Sequence, residues 1–187
     1  TNDIVLGYYD QGNLFPLRGR ECSSQQMPFI KEKFPTYDSF ASAKLHQVYN
    51  EDKLEKALHL MANSFASVYL ENKGNGLFKS HILPSEVQIS AINDISIEDF
   101  DGDGFKDILV AGNLYQTEVE TPRNDASIGM LLKGSGTASF TPVPFLKSGL
   151  YLNGDVKKIK AIKLGNSQKI SFLVAKNNDS LRLIEIR

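Results

Sequence analysis

The strongest constraint on this chain is that it repeats itself. Lys106-Asp107-Ile108-Leu109-Val110-Ala111-Gly112-Asn113 matches Ile170-Ser171-Phe172-Leu173-Val174-Ala175-Lys176-Asn177, 64 positions later. Val68-Tyr69-Leu70-Glu71-Asn72-Lys73-Gly74 followed by Phe78 matches Met130-Leu131-Leu132-Lys133-Gly134 followed by Phe140, 62 positions later. Asp3-Ile4-Val5-Leu6-Gly7 matches Asp107-Ile108-Leu109-Val110-Ala111, 104 positions later. Self-similarity at this period is the mark of stacked supersecondary units, none of which can bury its apolar face alone. The spacings define units of about 1–88, 89–152 and 153–187. The difference between offsets of 104 and 62 leaves 42 extra residues in the first unit, with a helical insertion at 29–64 among them.

The repeated segments read as strands. Asp3–Tyr9, Phe65–Leu70, Ile89–Phe100, Asp107–Asn113, Ile128–Leu132, Val156–Leu164, Ile170–Ala175 and Leu181–Ile186 are short and rich in β-branched or aromatic residues, and most are bounded by Gly, Asn, Asp or Pro. Each unit reads as four strands. The first unit lacks its first strand and the third its last. The expected fold is therefore mainly β, a partial β-propeller of about three four-stranded antiparallel blades, the first and last incomplete. A helical insertion is expected near 38–62. Asp38 caps Ser39–Tyr49, Asn50 caps a second helix with Glu51 and Asp52 in its first turn, and Leu54, Ala57, Leu58 and Met61 form an apolar stripe directed at the sheet.

Composition narrows the function. With 21 Lys plus Arg against 22 Asp plus Glu, the formal net charge is −1, which points to neither nucleic acid nor an anionic membrane as a partner. No apolar run reaches the ~18 residues that span a bilayer. The single cysteine, Cys22, excludes an internal disulfide framework and leaves the redox compartment open. Thr1 leads directly into the strand-like Ile4–Gly7 with no signal segment, so the expectation is a piece of a longer chain whose targeting signal lies upstream.

The chemistry concentrates in Asp99-Phe100-Asp101-Gly102-Asp103-Gly104-Phe105-Lys106-Asp107. Carboxylates at positions 1, 3, 5 and 9 of this loop repel one another unless a cation lies between them. Gly104, at position 6, supplies the sharp turn that a calcium loop requires, and Phe105, at position 7, offers its backbone carbonyl. Hard oxygen donors on a flexible loop suit Ca2+ better than Mg2+. Val110 stands at position 12 where an EF-hand has Glu, and a strand follows rather than a helix, so this is not an EF-hand. The alternative is an acidic surface turn with no ion.

With these residues in view, the chain resembles the FG-GAP and VCBS repeats of integrin-α-like β-propellers, as found in bacterial cell-surface proteins. Their calcium loop, D-x-D-x-D-G-x-x-D, is filled by Asp99, Asp101, Asp103, Gly104 and Asp107, and their L-x-N-x-G-x-G-x-F hairpin is similar to Leu70-Glu71-Asn72-Lys73-Gly74-Asn75-Gly76-Leu77-Phe78. The segments Arg18–Pro28 and Glu120–Asp125 also look like bacterial surface proteins carrying such repeats. The resemblance implies one structural Ca2+ held by Asp99, Asp101, Asp103, Phe105 and Asp107. The matching loop of the third unit, Lys163–Ser171, has no carboxylate, and the first unit retains only Asp3 of its loop, so neither is expected to bind the ion.

No catalytic constellation is evident, and the chain is not expected to be an enzyme. His46, His59 and His81 are scattered, Cys22 has no identified base, no serine sits in G-x-S-x-G, and Gly74-Asn75-Gly76 and Gly134-Ser135-Gly136 are hairpin turns rather than phosphate loops. The polar connections Leu17–Pro28 and Gln116–Asp125 occupy corresponding places between second and third strands. Arg18, Arg20, Glu118 and Arg123 there are candidates either for a recognition surface or for an internal network. The expected function is a non-catalytic, calcium-binding propeller segment of a larger extracytoplasmic protein, at the cell surface, in the periplasm or secreted. It would serve adhesion or ligand recognition with a protein or carbohydrate ligand. The alternative is an accessory or substrate-binding domain of a polysaccharide-acting enzyme. Open blade edges also suggest self-association.

Overall fold

The computed structural model describes residues 4–118, 121–165 and 170–185. The chain divides into two compact units, Thr1–Asn63 and Ser64–Arg187.

In the first unit, β1 (Gly7–Asp10) and β2 (Asn13–Pro16) form a hairpin. The turn residues Gln11 and Gly12 both have positive φ, as a tight primed turn requires. Asp3 lies outside the described residues, Ile4–Leu6 are not in a strand, and β2 was not anticipated. Five short helices follow: α1 (Arg20–Gln26), α2 (Phe29–Lys33), α3 (Tyr37–Ala41), α4 (Leu45–Val48) and α5 (Glu51–Glu55). The helical segment thus starts near residue 20 rather than 38, and much of the Leu17–Pro28 connection is α1 rather than irregular chain.

The expected continuous helix over Ser39–Tyr49 is two helices. Thr36, not Asp38, caps α3, its hydroxyl accepting the Ser39 N–H at 3.2 Å, and an extended Lys44 separates α3 from α4. Asn50 does occupy the N-cap of α5, without a side-chain hydrogen bond. The apolar stripe does not form. A turn ends α5 at Glu55, with the Ala57 N–H and the His59 ring nitrogen both meeting the Leu54 carbonyl, and Leu58 and Met61 are exposed. The core is instead Ile30, Phe40, Ala43 and Val48, with Met27, Phe34 and Tyr49 against it.

The second unit is mainly β, built of three antiparallel sheets with no closed barrel among the described residues. They are β3 (Val68–Gly74) with β4 (Leu77–Ile82); β5 (Ile92–Glu98), β6 (Asp107–Gly112), β7 (Met130–Gly134) and β8 (Phe140–Val143) in sequential order; and β9 (Val156–Lys163), β10 (Ile170–Lys176) and β11 (Arg182–Glu185), also sequential. Short helical turns opened by Pro84 (Ser85–Val87) and Pro144 (α6, Phe145–Ser148) precede β5 and β9. No helix among the described residues is long and apolar enough to cross a membrane.

The repeat recurs residue by residue in the strand registers. Ile95 faces Val110 and Ile97 faces Ile108; 64 positions on, Ile159 faces Val174 and Ala161 faces Phe172. Even the irregularity repeats, with a register shift between Ile92 and Asp94 matched by one opposite Ala175 and Lys176. Tyr69 faces His81 and Asn72 faces Phe78; 62 positions on, Leu131 faces Val143 and Gly134 faces Phe140.

These sheets pack face to face. Every residue of β6 is buried, and the alternation of side chains along the strand divides them. Leu109 and Ala111 join Leu131, Phe172 and Val174 in one core; Ile108 and Val110 join Leu132, Leu83 and Val87 in another. Burying a side chain of this size contributes about 1.5–3 kcal/mol. At the end of β6 a Cβ on Gly112 would stand 1.8 Å from the Ala91 carbonyl oxygen, so only glycine admits this approach.

Polar groups latch the second sheet to the third. The Asn93 amide donates to the Val156 and Asn113 carbonyls, and the fully buried Asn113 donates to the Ser127 and Gly154 carbonyls. Asp94 accepts the Ile159 N–H at 2.6 Å and the Lys158 ammonium at 2.8 Å. Burial pushes the Asp94 carboxyl up, but these hydrogen bonds outweigh it and hold the group below its ordinary range. A depressed folded pKa means stability present above the unfolded value, about 3.9, and lost as pH falls through the folded one. Asp94→Ala is therefore expected to cost about 1.5–3 kcal/mol at neutral pH, measured by urea unfolding, and the cost should shrink below pH 4. A cost that stays constant down to pH 2 would contradict this assignment.

Candidate metal centre

The acidic loop joins β5 to β6, and its carboxylates cap its own turns. Asp99 accepts the Gly102 N–H at 2.8 Å on one oxygen and the Gly104 N–H at 2.9 Å on the other. Asp101 accepts the Asp103 N–H at 3.2 Å, and Asp103 accepts the Phe105 N–H at 2.9 Å. Gly104, with φ of 88°, takes the left-handed turn anticipated at position 6.

Asp107 anchors the loop to the sheet. It is 2 % exposed, accepts the Phe100 N–H at 3.0 Å, and reaches across to β7 to accept the Gly134 N–H at 2.8 Å. A Cβ on Gly134 would lie 2.1 Å from the Lys106 carbonyl oxygen, so glycine permits this crossing.

Carboxylate oxygens of Asp99, Asp101 and Asp107 lie within 4.8 Å of one another. These are three of the five residues expected as ligands. Asp103 is not in that group. Its carboxylate is directed toward the Lys133 ammonium, 3.0 Å away, which also bonds Asp101. The N–H of Phe105 is held by Asp103, and its ring lies against Gly136.

Lys133 was not anticipated. It comes from β7, thirty-two positions beyond Asp101, and the equivalent position in β3 is Glu71, so the repeat carries no signal for it. The hydrogen bonds to Asp101 and then Asp103 raise the Lys133 pKa well above its ordinary value. Asp103 is lowered, first by the Phe105 N–H and then by Lys133. The ammonium is thus a cation already held at the rim of the carboxylate cluster.

The four residues proposed for recognition separate into different settings. Arg20 is spent internally. Its guanidinium donates to the Phe34 and Pro35 carbonyls at 2.6 and 3.1 Å and lies over the Tyr37 ring, the arrangement of a structural network. Arg18 lies 3.9 Å from the Cys22 sulfur. In the β6–β7 connection, Arg123 pairs with Asp125 at 2.8 Å and stacks on Tyr115, while the Glu118 carbonyl accepts the Thr121 N–H. Among the described residues no histidine joins a candidate metal cluster: His81 bonds Glu71, and His59 the Leu54 carbonyl.

Comparison with family models, with curated proteins and with solved structures finds no match for this chain.

The loop geometry predicts that Lys133 and a metal ion compete for Asp101 and Asp103. Lys133→Met should lower the melting temperature of the metal-free chain and enlarge the upward shift produced by calcium. Identical calcium responses in parent and variant, followed by thermal unfolding, would show that Lys133 is a bystander.

Proposed function

We propose that this chain is a calcium-stabilised, non-catalytic repeat module of the FG-GAP/VCBS β-propeller type, part of an extracytoplasmic protein and used for adhesion or ligand recognition. The observation that carries this reading is the convergence of Asp99, Asp101 and Asp107 on one point of a D-x-D-x-D-G-x-x-D loop. The residues present fit a hard divalent cation, since all the side-chain donors are carboxylate oxygens and Gly104 turns the loop as calcium loops require. Asp103 and the Phe105 carbonyl complete the donor set once Asp103 leaves Lys133. Four stacked carboxylates would otherwise repel, and the ion would offset that repulsion and fix the β5–β6 turn.

The repeated strand registers and the face-to-face sheets support the propeller element of the reading, with β5–β8 as a complete four-stranded blade. Calcium loops of modest affinity suit an environment where the ion is plentiful, which supports an extracytoplasmic setting. The ion's role is structural, because the loop brings no nucleophile or acid–base pair beside it.

Ligand that binds only the folded state stabilises it by about 2.7 kcal/mol at a hundredfold excess over Kd, which for a chain of this size corresponds to roughly 5–10 °C in Tm. Millimolar calcium should therefore raise the Tm of metal-stripped protein by several degrees, EDTA should reverse it, and Asp101→Ala or Asp99→Ala should abolish the response. Calorimetric titration showing neither heat nor a melting shift at millimolar calcium would reduce the loop to an acidic turn.

A further inference from the structure

The stack of sheets in the second unit is directional. On β6 the odd positions Leu109 and Ala111 meet β10 at Phe172 and Val174, whereas the even positions Ile108 and Val110 share a cluster with Leu83 and Val87, beyond β4, and with Tyr69, which lies on the back of β3. Phe172 and Val174 are themselves the equivalents of Ile108 and Val110, 64 residues on. Each sheet therefore has a front, of the 108/110 type, and a back, of the 109/111 type. Both junctions inside the chain lay the front of one sheet on the back of another.

Among the described residues, the β3–β4 front and the β11 side of the third sheet's back carry exposed apolar side chains. On the front of the β3–β4 sheet, pairing sets Val68 beside Ile82, Leu70 beside Ser80 and Asn72 beside Phe78. Leu70, Phe78 and Ile82 are 56, 61 and 75 % exposed, although Leu70 and Phe78 are the equivalents of Leu132 and Phe140, which pack in the core. On the back of the third sheet, Leu173 pairs with Leu183 in the register in which Leu109 pairs with Leu131. Leu109 and Leu131 are buried; Leu183 is 52 % exposed.

We propose that the back of the third sheet of one copy docks on the β3–β4 front of a second copy, continuing the stack between molecules. The same two kinds of face already make two junctions within the chain, and a second copy supplies the missing half of each. Because the two surfaces differ, the contact is head-to-tail. It lacks the polar latch of the internal junction. The equivalents of Asn93 and Asp94 are Lys157 and Lys158, and these face Asp155 and Asp94 within their own chain. The contact thus sets Leu173 and Leu183, flanked by Lys158, Lys160 and Glu185, on Leu70, Phe78 and Ile82, flanked by Asn72 and Ser80, and is reversible. It is independent of the calcium reading.

Sedimentation of the full chain over a concentration series tests this. The parent should associate with rising concentration. Phe78→Asp, which blocks the front, and Leu183→Asp, which blocks the back, should each weaken self-association at least about tenfold, since either buries a carboxylate in an apolar contact. An equimolar mixture should form a dimer and nothing larger, because each variant retains the face that the other has lost. Circular dichroism checks folding, and Leu70→Lys replaces Phe78→Asp if that variant unfolds. A parent that stays monomeric at its solubility limit overturns the proposal. So does association that persists in both variants, or a mixture that fails to dimerise.

Discussion

The second unit depends on β6 having two apolar faces. A strand in a sheet with one solvated side alternates apolar and polar residues, whereas Asp107–Gly112 runs apolar from Ile108 onward and every member is buried. Such a strand is stable only when covered on both sides: β9–β11 covers one, and Leu83 and Val87 with Tyr69 of β3 cover the other. The local polar groups follow from that stacking. Asn93, Asp94 and Asn113 serve backbone groups at the sheet junction that packing has removed from water, where an unmet donor or acceptor costs about 1–3 kcal/mol.

The acidic loop is tied to the same strand. Asp107 is at once the first residue of β6, the acceptor for the Phe100 N–H at the start of the loop, and the acceptor for the Gly134 N–H on β7. The position of the carboxylate cluster is therefore set by the sheet as well as by the loop sequence. Lys133, on β7, is delivered to the cluster by the same pairing that places Leu132 opposite Ile108. Loop and sheet are coupled, so an ion at Asp99, Asp101 and Asp107 would act on the β5–β6–β7 ladder.

Much of this could be read from the sequence because repetition is a nonlocal signal carried by local residues. Matching Ile108–Asn113 to Phe172–Asn177 implied matching registers, and Ile95–Val110 and Ile159–Val174 have them. The spacing of Asp99, Asp101 and Asp107 placed them on one turn. What stayed hidden was decided elsewhere in the chain. Lys133 has no partner nearby in sequence, and Asp103 turns toward it. The helix expected through Met61 failed because the stripe of Leu54, Ala57, Leu58 and Met61 satisfied helical periodicity without a surface to bury it, and Lys56 and His59 close the helix one turn earlier. Thr36 outcompeted Asp38 as a cap because Thr36 is itself extended, at ψ of 156°, the conformation an N-cap takes, whereas Asp38 lies inside the helix.

The most direct test of the account is to follow the backbone amides of Gly102, Gly104, Phe105 and Gly134 by NMR while calcium is added to the metal-stripped chain. Each of these N–H groups donates to a carboxylate of the cluster or of Asp103. The account predicts saturable shifts at all four, with the largest change at Phe105 as Asp103 leaves Lys133. Shifts confined to scattered surface carboxylates, with these four amides unmoved at millimolar calcium, would contradict it.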